Sequence, residues 1–161
     1  LENEQANDHP NVAVMPPLLI TATLGLALAL EQLSNIQFLL PLELIVHQTG
    51  IGGVLVMAGM AIAALGGTEF VKKGTNISPH MPSLKLVRTG VYKFTRNPIY
   101  IGMLLFQLGI SLFLALEWGV LLTGLSATVL HFGVVLREEA YLREKFGKPY
   151  EEYLESSKRW L

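Results

Sequence analysis

The chain has 161 residues, 51% hydrophobic and 16% charged, with a mean hydropathy of +0.43, a formal charge of −1 and no cysteine. Such an apolar share points to one membrane-embedded unit. The lack of cysteine excludes disulfides, zinc–thiolate sites and cysteine nucleophiles, and the near-neutral charge offers no basic field for nucleic acid.

Residues 1–16, beginning LENEQANDHPNVAVM, read as a polar N-terminal tail that takes no part in the fold argument. The tail carries no positive n-region, so the apolar run behind it is expected to be a retained span, not a cleaved signal. Residues 17–161 are expected to form a single membrane domain.

A bilayer core of about 30 Å takes roughly 20 helical residues. Four stretches approach that length, 17–33, 50–71, 98–116 and 118–136. The expected fold is therefore an all-α, multi-pass helix bundle of about four spans. Between the first two, residues 35–48 hold Pro41, Glu43 and His47 and read as an interfacial turn. In span two, Gly59 with Ala63, and the pair Gly66–Gly67, read as close packing contacts.

Spans two and three are joined by residues 72–97, which include GTNISPHMPSLKLVRTGVYKF. That stretch is too polar to span and too rich in proline to be one helix, so it is either a flexible linker or an ordered lid over the helix ends. Span three opens with TRNPIYIG, residues 95–102. Asn97 suits a helix N-cap, Pro98 the first helical position, and Arg96 reach to the headgroups. Tyr100 and Gly102 just inside it fit either an interfacial tyrosine with a packing glycine or one wall of a pocket.

Glu117 alone separates spans three and four, which read as a tight hairpin with Trp118 at the far interface. His131 lies inside span four, seven residues before Glu138 and nearly on its helical face. It reads first as a neutral histidine bonded to a neighbouring helix and second as a substrate contact. Beyond residue 136 the sequence becomes REEAYLREKFGKPYEEYLESSKRWL. A helix is expected to continue span four up to Gly147 and Pro149, followed by a short helix over about 150–160 along the membrane face. The hairpin returns Glu138 and Glu139 to the depth of Asn97, so arginine, amide and carboxylates converge at one mouth.

Lys72, Lys73, Lys85, Arg88, Lys93 and Arg96 precede span three, and Arg137, Arg143, Lys145, Lys148, Lys158 and Arg159 follow span four. The positive-inside rule makes both regions, and hence both termini, cytoplasmic. The four histidines show no metal-type spacing, and no metal is assigned.

From Gly74 onward the pieces GTN, LVRTGVYKFTRNPIYIG and REEAYLREKFGKPYEEY occur in order, with two spans between the last two. This arrangement resembles the integral-membrane methyltransferases that include isoprenylcysteine carboxyl methyltransferase and the phospholipid N-methyltransferases, in particular their short bacterial members. The resemblance implies S-adenosylmethionine as donor, S-adenosylhomocysteine as product, and a lipophilic acceptor drawn from a bacterial inner membrane. It implies a donor site made by Asn97, Pro98, Tyr100, Gly102, Glu138, Glu139, Leu142, Phe146 and Tyr150, with Gly147 beside them. It further implies an acceptor side with Arg96, His131, Tyr153 and Arg159, where Arg96 and Arg159 orient an anionic acceptor during catalysis.

Two positions depart from the pattern. Asn97 stands where the prenylcysteine enzymes carry histidine, and Ser156 stands where the family usually has an arginine for a substrate carboxylate. The leading expectation is an isoprenylcysteine carboxyl methyltransferase-like activity. The alternatives are N-methylation of a phospholipid amine, and a non-catalytic membrane scaffold of the same architecture.

Overall fold

The computed structural model describes residues 8–34 and 45–161, with side chains of the second stretch taken from Gln48 onward. Of the turn expected over 35–48, residues 35–44 lie outside the described residues, and Ile45–Gln48 are helical instead.

Helix α1, Pro16–Leu33, starts on two prolines whose missing N–H groups cost nothing in a first turn. Its buried Thr23 donates back to Leu19 O at 2.8 Å and accepts from Ser126 Oγ at 3.1 Å, which ties it to the fourth helix. Helix α2 covers Ile45–Lys73. It packs most closely on α3, Pro98–Phe113. Gly52, Gly59 and Gly66 recur every seven residues along α2 and put one face against that partner. A Cβ on Gly59 would lie 2.6 Å from Gly102 O, and one on Gly102 would lie 2.6 Å from Gly59 O. Only glycine on both sides allows the backbones to approach this closely.

Helix α3 is shorter than the 98–116 expected. Leu114 and Ala115 form the turn, Ala115 in the left-handed region at φ 53°, and Leu116 N donates to Ser111 O at 2.7 Å. The chain reverses inside the residues assigned to the span. Helix α4, Glu117–Leu130, then runs through a π-helical segment, His131–Val135, into α5, Leu136–Phe146, without a break. Span four is thus one end of a single helix, Glu117–Phe146. Gly147 stops it at φ 56°, a conformation glycine adopts without strain.

The last helix, α6, covers Lys148–Ser156, not the 150–160 expected. Ser157 is extended, and the tail turns back to form a short parallel bridge between Lys158 and Thr95. Long-range bonds to the segment before α3 hold the tail there. Among the described residues, three helices are long and apolar enough to cross a membrane, with Pro98–Phe113 a shorter apolar one, consistent with a helical membrane bundle.

Candidate active site

At the polar end of the bundle a cavity of about 400 Å³ lies between the ends of the helices, within the range of small-molecule sites. Its apolar lining comes from Met15, Pro17 of α1, Ile99 and Met103 of α3, Val135 and Leu86. Its polar and aromatic lining includes Glu138, Asn97, Tyr92, Tyr100, Tyr150 and Tyr153. Burial pushes the Tyr153 phenol up to about 12 and also raises Tyr92 and Tyr150, so these phenols remain protonated. Tyr153 donates to Tyr92 O at 2.7 Å.

The two neighbouring glutamates have different surroundings. Glu139 Oε1 accepts from Arg96 Nε and Nη2, both at 3.2 Å. Arg159 donates from Nε to Oε1 at 3.0 Å and from Nη2 to Oε2 at 2.8 Å. Arg96 Nη1 is taken up by the carbonyls of Leu154 and Ser157. Glu138 is held by one neutral partner: the Tyr100 hydroxyl donates to its Oε1 at 2.6 Å. Among the described residues no cation pairs with Glu138.

Of the residues singled out in the sequence, Arg96, Asn97, Tyr100, Glu138, Glu139, Leu142, Tyr150 and Tyr153 line this cavity together. Asn97 makes no side-chain cap on α3; its Nδ2 donates to Arg159 O at 2.8 Å and pins the C-terminal tail. Arg96 is not extended to headgroups but lies in the Glu139 pair. Pro98 and Gly102 sit behind the wall, Gly102 against Gly59. Phe146 packs in the apolar cluster of Val87, Tyr92, Tyr150 and Tyr153. His131 lies off the cavity, where its Nδ1 accepts from Trp160 Nε1 at 3.2 Å. Arg159 does not line the cavity and reaches it through Glu139.

Several lining residues had not been singled out. Tyr141 is three residues from Glu138 on α5, so helical spacing carried that signal. The linker is folded across the site: Thr75 Oγ1 accepts from Leu84 N at 2.9 Å and Lys85 N at 3.2 Å. Gly90 lets it return against Glu69, where Thr89 Oγ1 donates to Glu69 Oε2 at 2.6 Å.

Residues 8–15, set aside as tail, form a strap along α5 and the π segment. Ala13 N donates to Gly133 O at 2.8 Å and Arg137 Nη1 to Asn11 O at 2.7 Å. Lys145 Nζ holds Asp8 at 2.6 and 2.7 Å. The Tyr141 hydroxyl donates to Asp8 Oδ1 at 2.9 Å and accepts from Ser83 N at 3.1 Å, joining strap and linker. A short polar segment held by tertiary bonds leaves no periodicity to read.

The sequence model of the phospholipid methyltransferase family matches residues 47–149, more than half of the chain. No curated protein and no solved structure matches the chain.

Proposed function

Because the chain belongs to the phospholipid methyltransferase family, we propose that it methylates the amine of a phospholipid headgroup, with S-adenosylmethionine as donor. The observation that carries this choice is the contrast between the glutamates. Both arginines that would orient an anionic acceptor are engaged by Glu139, whereas Glu138 lines the cavity with Tyr100 as its one partner among the described residues. A site offering an uncompensated carboxylate suits a cationic or amine group better than a carboxylate.

The cavity also fits the donor. Its volume suits a nucleoside-sized ligand, its tyrosine rings suit adenine or a sulfonium, and the N-terminal amides of α3 suit a carboxylate. When bound, the donor supplies a methyl group on a positive sulfur, which leaves as a neutral thioether with the C–S electron pair as the new N–C bond forms. Glu138 binds the headgroup ammonium and takes one of its protons, freeing the nitrogen pair for attack. Tyr100 holds that carboxylate in place. Lys85, on the linker side of the cavity, faces the lipid phosphate. Met15, Ile99 and Met103 receive the start of the acyl region and keep water from the reacting atoms.

A carboxylate acceptor of the isoprenylcysteine type would have to compete with Glu139 for Arg96 or Arg159, breaking part of a pairing in which one carboxylate holds both. The test uses protein reconstituted with phosphatidylethanolamine or with a prenylated cysteine. Methylation of the amine lipid, lost in Glu138→Gln with donor binding retained, supports the reading. Methylation of the prenylcysteine alone overturns it. Absence of donor binding by the folded protein supports a scaffold.

The setting proposed for this activity is a bacterial inner membrane with the cavity on the cytoplasmic side.

A further inference from the structure

A second groove, of about 450 Å³, lies where the C-terminal tail crosses the segment before α3. Arg96 N donates to Lys158 O at 2.8 Å and Lys158 N to Phe94 O at 3.4 Å, and this pairing brings Lys93 and Lys158 to the rim of one groove. Neither ammonium has an ion-pair partner among the described residues. Glu155 is the one carboxylate side chain lining the groove, so its side chains carry a net positive charge.

The same groove carries Phe94, 77% exposed, and Leu161, 88% exposed. Beneath them Trp160 donates to His131, within the membrane-crossing helix Glu117–Phe146, and packs with the cluster around Tyr100. The groove therefore opens at the level where the bundle passes from hydrocarbon to headgroups. Exposed apolar side chains at that depth meet acyl chains, and lysines beside them meet phosphate.

We propose that this groove is a binding site for an anionic glycerophospholipid of the surrounding bilayer, its phosphate between Lys93 and Lys158 and its acyl chains along Phe94 and Leu161. The site is separate from the methyl-transfer cavity and does not depend on that function. It fixes the C-terminal tail, and with it Arg159, against the membrane surface. Each lysine is expected to contribute on the order of fivefold in affinity at the membrane surface.

Trp160 lines the groove and reports its occupancy, while Trp118 lies elsewhere, its Nε1 donating to Ser34 Oγ at 2.7 Å. Trp118→Phe protein is reconstituted in phosphatidylcholine vesicles containing brominated phosphatidylglycerol or, in parallel, brominated phosphatidylcholine. The expected result is several-fold stronger quenching of Trp160 by the anionic lipid, levelled by the double change Lys93→Gln and Lys158→Gln. Equal quenching by the two lipids, or a preference that survives the double change, overturns the proposal. Native mass spectrometry of the otherwise unaltered chain gives a second reading should Trp118→Phe misfold: phosphatidylglycerol retained equally with and without both lysines also overturns it.

Discussion

Arg96 and Glu139 stand 43 residues apart in the chain and meet in a pair whose side chains are 10% and 9% exposed. Arg159 completes the arrangement from the C-terminal tail, so one carboxylate joins the start of α3, helix α5 and the last residues. Breaking a buried pair by removing one partner leaves the other charge uncompensated. Glu139→Ala is therefore expected to destabilise the folded protein by about 3 kcal/mol, whereas Glu138→Ala changes stability little. Thermal unfolding in detergent distinguishes them; equal melting points for the two variants would assign Glu139 to ligand binding instead.

Tyr100→Phe removes the one hydroxyl that holds Glu138. A hydrogen bond to a charged group contributes about 1.5–3 kcal/mol. Turnover of the amine lipid is expected to fall by about tenfold or more, with donor affinity unchanged. A parallel loss of donor binding would show that Tyr100 contacts the donor directly.

Gly59 and Gly102 permit the close approach of α2 and α3. Alanine at either puts a methyl 2.6 Å from backbone oxygen, which cannot be relieved by rotating a side chain. Each change is expected to cost about 1–3 kcal/mol through overpacking. Gly25→Ala is the control, because nothing lies within 4 Å of a Cβ there. Unfolding midpoints that fall equally for all three would show that glycine's role here is not close packing.

The strap responds to acid. Hydrogen bonds from Lys145 and then Tyr141 hold the Asp8 carboxyl below its ordinary value of 3.8, against the opposing effect of burial. A depressed folded-state value means that the contribution of Asp8 to docking is complete above the unfolded value and fades as pH falls through the folded one. Hydrogen exchange at Ala13 is expected to accelerate as pH is lowered below that ordinary value, beyond the intrinsic pH effect. Asp8→Asn should show weakened protection already at neutral pH; unchanged protection would mean that the Ala13–Gly133 bond alone docks the strap.

The membrane class, the approximate positions of the apolar helices and the meeting of TRNPIY with REE at one end were legible in the chain. These rest on local quantities: apolar run length, the proline that opens α3, the helical pattern that continues span four past residue 136, and a turn too short to take Trp118 far from α3. Their surroundings came only with the folded chain. Glu138 and Glu139 are neighbours in sequence and line one cavity, yet one is paired with two arginines and the other with a tyrosine, because successive positions on a helix point about 100° apart. Asn97 reads locally as a cap, but the tail competes for its amide. The strap and the returning C-terminus depend on partners tens of residues away, and pairings of that kind have no periodic trace in the chain.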